Sequence, residues 1–217
     1  MSDFFADAGA WIEQAGKDFV QVFEGDNAVE DDIETQTPTT DTVTEPPVKT
    51  RQLGGVVEMI GNSGNNVIEG DGVLFGRGGD DVIIAGNRSR IGSRLYGGSG
   101  DDILKGGGGE DLLYGGAEND VLIGGAGADI FVMSEGIDQV MDFSLLQNDK
   151  IFVSEIDGHE KYTGQIAIIA EDGFGTILMS DSGDKMFIAG ATGSDVYNSI
   201  IGANEGQLVA VNFEVLA

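Results

Sequence analysis

Between residues 61 and 132 the chain repeats itself every nine residues, and a period that short calls for a solenoid of stacked units. Four units follow one another without a gap: GGSGDDILK (97–105), GGGGEDLLY (106–114), GGAENDVLI (115–123) and GGAGADIFV (124–132). Upstream lie GRGGDDVII (76–84) and the weaker GNSGNNVIE (61–69), separated by a shortened unit, GDGVLF (70–75). Residues 85–96 make one repeat with three residues inserted, and the register survives the insertion. The eighth position is large and apolar throughout: Ile68, Leu74, Ile83, Leu95, Leu104, Leu113, Leu122 and Phe131. In strands of three residues only the central side chain faces inward, so this line predicts a core one residue wide.

Glycine recurs at the first, second and fourth positions and aspartate at the sixth. Glycine permits left-handed backbone and lets carbonyls turn inward where a Cβ would block their approach. Aspartate adds hard oxygen donors. If each unit makes half a turn, carboxylates eighteen residues apart stack on one side, pairing Asp102 with Asp120 and Asp111 with Asp129. Asp81 then lies under Asp102 once the insertion is allowed for, and Asn66 under Asp81. Aspartate and asparagine also suit turns for their own sake. A turn alone, however, does not require an aspartate at every ninth residue.

These units resemble the Gly-Gly-x-Gly-x-Asp-x-apolar-x nonapeptides of the repeat-in-toxin family, over about residues 54–156. The resemblance implies a secreted protein with a parallel β-roll, mainly β, holding several Ca²⁺ ions between successive turns. Ca²⁺ takes six to eight oxygens at about 2.3 to 2.6 Å. The implied ligands are Asp81, Asp102, Asp111, Asp120, Asp129 and Asn66, together with the loop glycines Gly76, Gly79, Gly98, Gly100, Gly107, Gly109, Gly116, Gly125 and Gly127. Two departures stand out. Glu118 replaces a fourth-position glycine, which strains that loop or adds a carboxylate. The 85–96 unit has no carboxylate and carries Arg88, Arg90 and Arg94 close to Arg77, so no calcium centre is expected on that side. The arginine cluster suits an anionic polysaccharide, the chain's own acidic linker, or plain solvation.

Charge bears on the same point, because 38 acidic against 11 basic residues give a net charge of −27 that repels itself unless cations neutralise it. Such a surface disfavours nucleic acid and anionic lipid as partners. No cysteine is present, so no disulfide staples the fold. The start, MSDFFADAGAWIEQAG, lacks the basic and continuous apolar regions of a cleavable secretory signal, and no window is apolar enough to span a membrane.

Four regions are expected. Residues 1–24 form an amphipathic helix whose apolar face includes Phe4, Trp11, Phe19 and Phe23, suited to docking in cis or to self-association rather than to membrane insertion. Residues 25–53 form an acidic Thr/Pro-rich linker. The roll occupies 54–135, and 136–217 cap it with short strands at 165–170, 176–180, 185–190 and 207–213. Asp138, Asp142 and Asp149 are candidate ligands in that region, with capping and turn roles as alternatives.

The ending Phe213 to Ala217 is similar to the uncleaved signal read by type I secretion machinery in Gram-negative bacteria. The expected location is therefore extracellular or at the cell surface, with a surface polysaccharide or surface protein as the kind of partner. Catalysis is not expected. His159 is the single histidine, and neither a His-Glu-x-x-His nor a Gly-x-Ser-x-Gly motif occurs. The predicted role is structural or adhesive, alongside that of a secretion module carrying the N-terminal helix as effector and, further off, a polysaccharide-modifying enzyme.

Overall fold

The computed structural model describes residues 48–53, 56–86, 92–153, 166–171, 174–203 and 207–212. The expected N-terminal helix, most of the linker, Arg88, Arg90, His159 and the C-terminal tail lie outside the described residues.

Alternate half-turns feed two sheets. One contains β1 (Lys49–Leu53), β2 (Val56–Ile60), β4 (Val73–Gly78), β6 (Arg94–Ser99), β8 (Leu112–Ala117), β10 (Ile130–Val132), β12 (Lys150–Phe152) and β16 (Ile200–Ile201), in that order. The other begins with β3 (Val67–Gly70), β5 (Val82–Ala85), β7 (Ile103–Gly108), β9 (Val121–Ala126) and β11 (Ile137–Val140), and continues into β15 (Lys185–Ala189), β14 (Gly175–Ser180), β13 (Ile166–Glu171) and β17 (Leu208–Asn212). From β2 to β12 and from β3 to β11 every pairing is parallel, as expected of a roll.

The eighth-position line forms the core. On one side Leu74, Leu95, Leu113, Phe131 and Ile151 stand in register. On the other the row is Ile68, Ile83, Leu104, Leu122 and Val140. All ten are 0% exposed, each contributing about 1.5 to 3 kcal/mol of transfer free energy. The strands are longer than expected: β4 and β6 to β9 have six residues each, because the second-position glycines pair as well as the apolar ones. Nor does the parallel ladder stop at 135, since β11 and β12 carry it to Phe152.

Beyond β12 the pattern changes. β13, β14 and β15 form an antiparallel meander whose last strand joins β11 in parallel. A helix unforeseen in the sequence, α1 (Gly193–Ser199), puts Val196 into the same core cluster. Its start is a capping box, with the Thr192 side chain accepting from the Asp195 N–H and Asp195 accepting from the Thr192 N–H, each at 3.2 Å.

Candidate metal centres

The parallel register places the sixth-position residues in two ladders, each step a side-chain oxygen accepting the backbone N–H of the turn below. In the longer ladder Asp81 accepts from Asn66 N–H at 2.7 Å, Asp102 from Asp81 at 2.7 Å, Asp120 from Asp102 at 2.9 Å and Asp138 from Asp120 at 3.2 Å. In the other, Asp111 accepts from Ser93 N–H, Asp129 from Asp111 at 2.9 Å and Asp149 from Asp129 at 3.0 Å. The stacking expected from the eighteen-residue count is therefore present. Ser93 takes the place of an aspartate in the arginine-bearing unit, leaving the start of that ladder without a carboxylate.

Each of these aspartates uses Oδ1 in this way, but five Oδ2 atoms, those of Asp81, Asp102, Asp111, Asp120 and Asp129, are buried with no hydrogen-bond partner. Beside three of them, those of Asp81, Asp102 and Asp111, lies a backbone carbonyl oxygen. A Cβ added to Gly97 would collide with Asp102 Oδ2 and meet the Gly115 carbonyl oxygen at 2.5 Å, and Gly76 stands in the same relation to Asp81 and Gly97. Gly106 repeats the arrangement with Asp111 Oδ2 at 2.7 Å and the Gly124 carbonyl at 2.6 Å. A buried carboxylate oxygen without a donor is costly unless a proton or a cation reaches it.

The carbonyls beside these oxygens belong to the first-position glycines Gly97, Gly115 and Gly124, none of them among the expected ligands; Gly76, which is, has its carbonyl beside Asn66 Oδ1 instead. First-position glycines do not need left-handed backbone; they need room. The second- and fourth-position glycines Gly79, Gly98, Gly100, Gly107, Gly109, Gly116, Gly125 and Gly127 have φ between 86° and 142°, where a side chain is strained. Glu118 takes the same conformation at φ 80°, as expected of its loop, and Arg77 does so at φ 85° in a second-position slot. Among the described residues no three acidic or histidine side chains converge, so any centre here is built from carboxylate and backbone oxygens together.

The electrostatics follow from the geometry. Burial, reinforced by neighbouring carboxylates, pushes Asp102 and Asp111 up to about 7 and Asp129 up to about 6 from 3.8. Asp120 is raised by burial and then by the charge of Asp138, while Asp81, Asp138 and Asp149 are raised chiefly by burial. The C-terminal turn is different. Asp138 bonds Ser134 Oγ at 2.6 Å, Asp149 bonds Ser144 N–H at 2.8 Å, and Asp142 accepts from Gly124 and Gly125 N–H at 2.9 and 2.8 Å. Both oxygens of these three carboxylates have donors, which closes the ladders.

A third, exposed ladder escaped sequence reasoning. Asn65 accepts from Asp80 N–H at 2.9 Å, Asp80 from Asp101 at 3.1 Å and Asp101 from Asn119 at 2.9 Å. Its signal was an Asx residue at the fifth position of alternate units.

A family model described as the RTX calcium-binding nonapeptide repeat (4 copies) matches residues 96–131 and 106–140. Among solved structures, the AlgE6R3 subunit of the Azotobacter vinelandii mannuronan C5-epimerase aligns at 23% identity with a TM-score of 0.34, covering 79% of this chain and 96% of that one. No curated protein matches the chain.

Proposed function

We propose, from the premise that this is a repeat-in-toxin protein carrying calcium-binding nonapeptide repeats, that it is secreted and that its roll becomes ordered when Ca²⁺ reaches it outside the cell. Its role is structural, at a cell surface or in an extracellular matrix, rather than catalytic. The observation that carries the reading is the set of five buried carboxylate oxygens without a donor, three of them beside a backbone carbonyl.

Asp81, Asp102, Asp111, Asp120 and Asp129 are the carboxylate ligands, with the first-position carbonyls of Gly97, Gly115 and Gly124 and carbonyls of the neighbouring left-handed loops as further donors. Bound Ca²⁺ supplies positive charge and accepts the oxygens that no N–H reaches. The chain's residues do the rest. Oδ1 of each aspartate ties its turn to the one below, the glycines let the loops approach, and the eighth-position side chains shed water as the turns stack. Where calcium is scarce, the net charge of −27 and the unmatched oxygens oppose stacking, which keeps the chain loose enough for export by type I secretion machinery. Extracellular modules bind at about 10⁻⁴ to 10⁻³ M, within reach of ambient calcium.

Circular dichroism through a calcium titration, with magnesium as control and bound metal counted, tests this. A cooperative gain of β signal with calcium alone is expected, weakened when Asp102 and Asp120 are both replaced by asparagine. Full order in excess chelator with no bound metal would falsify it.

A further inference from the structure

The outward face of the sheet containing β4, β6 and β8 carries a groove of about 430 Å³ lined by Phe75, Tyr96, Tyr114, Arg77 and Glu135. The three aromatic residues stand in register on successive turns. Phe75 and Tyr96 are stacked, with ring centroids 4.9 Å apart and planes at 15°, and Tyr114 is tilted at 58° to Tyr96. A sugar ring docks on an open aromatic face, whereas Phe75 and Tyr96 cover each other's. What they present outward is an apolar, edge-on wall.

Arg77 and Glu135 mark the two ends. Arg77 pairs with Gly98 and Gly98 with Gly116, while Glu135 N–H bonds the Gly116 carbonyl at 3.0 Å, one rung further along. The two residues are thus three strand spacings apart, about 14 Å. Both are exposed, and no ion pair joins either to another of the described residues. The glycines between them have no side chains to fill the trough. Arg77 itself occupies a slot whose counterparts on the next turns are glycine, at φ 85°. Strain of this kind, at a residue whose side chain lines a groove, points toward function rather than stability.

The geometry points to a docking groove for an extended peptide that carries an acidic and a basic side chain about four residues apart with apolar residues between them. Four residues of extended chain cover about 13 Å, close to the span from Arg77 to Glu135. The peptide's carboxylate meets the Arg77 guanidinium, its ammonium meets Glu135, and the apolar side chain midway between them, on the same face of the extended chain, lies against the rings. Recognition runs through side chains because the groove lies on a sheet face rather than at an edge.

This inference rests on the proposed calcium-ordered roll, so circular dichroism accompanies every binding measurement. Calorimetry of the full chain in calcium with the probe Ac-Glu-Ala-Leu-Ala-Lys-NH2, whose leucine shares a face with Glu and Lys, should show saturable binding, weakened about fivefold with Ac-Glu-Ala-Leu-Ala-Glu-NH2. Arg77→Gly restores the repeat's own residue and should leave the fold intact while weakening the first probe about fivefold. Glu135→Gln should weaken it by a similar factor. Equal binding by wild type and Arg77→Gly, or no binding by a folded wild type, overturns the groove and leaves the calcium reading standing. Preferential binding of a hexasaccharide that Arg77→Gly abolishes also overturns it, in favour of a glycan. A chain unfolded in calcium overturns the calcium reading and the groove with it.

Discussion

The substitution Asp102→Asn exchanges one carboxylate oxygen for an amide nitrogen in the middle of the longer ladder, and its effect should change sign with calcium. Asparagine keeps an oxygen for the Asp81 N–H, now held at 2.7 Å, and places an uncharged N–H donor where the unpartnered Oδ2 stood, beside the Gly115 carbonyl. Without calcium this removes a buried charge. Asp102 sits at about 7 against 3.8, roughly three units at about 1.36 kcal/mol each, or about 4 kcal/mol as a ceiling. Relaxation of the metal-free loop around the charge offsets part of this, and a gain of about 2 kcal/mol is expected at pH 8. The raised value means the wild-type penalty is absent below pH 3.8 and complete above about 7, so the advantage of asparagine should vanish toward pH 4. With calcium the same change removes a charged ligand, and about tenfold weaker binding corresponds to about 1.4 kcal/mol of lost stability. Urea unfolding followed by circular dichroism, in chelator and in calcium, with sucrose to hold the metal-free chains in the measurable range, reads both signs. A shift in the same direction under both conditions, or a gain as large at pH 4 as at pH 8, refutes the reasoning.

Leu104 is 0% exposed between Ile83 and Leu122, and Leu104→Ala should cost about 3 kcal/mol in calcium, seen as a lower urea midpoint. Glu118→Gly relieves a left-handed glutamate at φ 80° and should stabilise the calcium-bound chain by about 1 kcal/mol in the same measurement. In chelator, wild-type β signal should fall as pH rises from 4 to 8, because Asp102 and Asp111 have folded values raised to about 7 and the stability of their protonated forms is lost through that range. In calcium the trend should reverse, since the ligands must ionise; a pH titration with and without the ion checks both.

Much of the roll was legible because a translational repeat makes counting equivalent to geometry. Leu95 and Leu113 lie eighteen residues apart and share one environment, and so do Asp102 and Asp120. Counting fails where the repeat does. Asp149 follows Asp129 by twenty residues rather than eighteen, across a loop whose Asp142 is drawn to two backbone amides. The meander and α1 have no period to count, although Thr192 and Asp195 carried a local signal in their capping box.

The nine-residue pattern by itself determined which side chains enter the core, which aspartates stack and that the units form a solenoid, because each depends only on distance along a regular path, and the family resemblance implied the parallel roll. Tertiary structure alone decided which carboxylate oxygen finds a donor and which does not, that first-position carbonyls lie beside three of the unpartnered ones, and that Arg77 ends a trough of aromatic rings. Those outcomes depend on how closely one turn lies on the next, and that spacing is set by neighbouring turns acting together rather than by any residue's own place in the repeat.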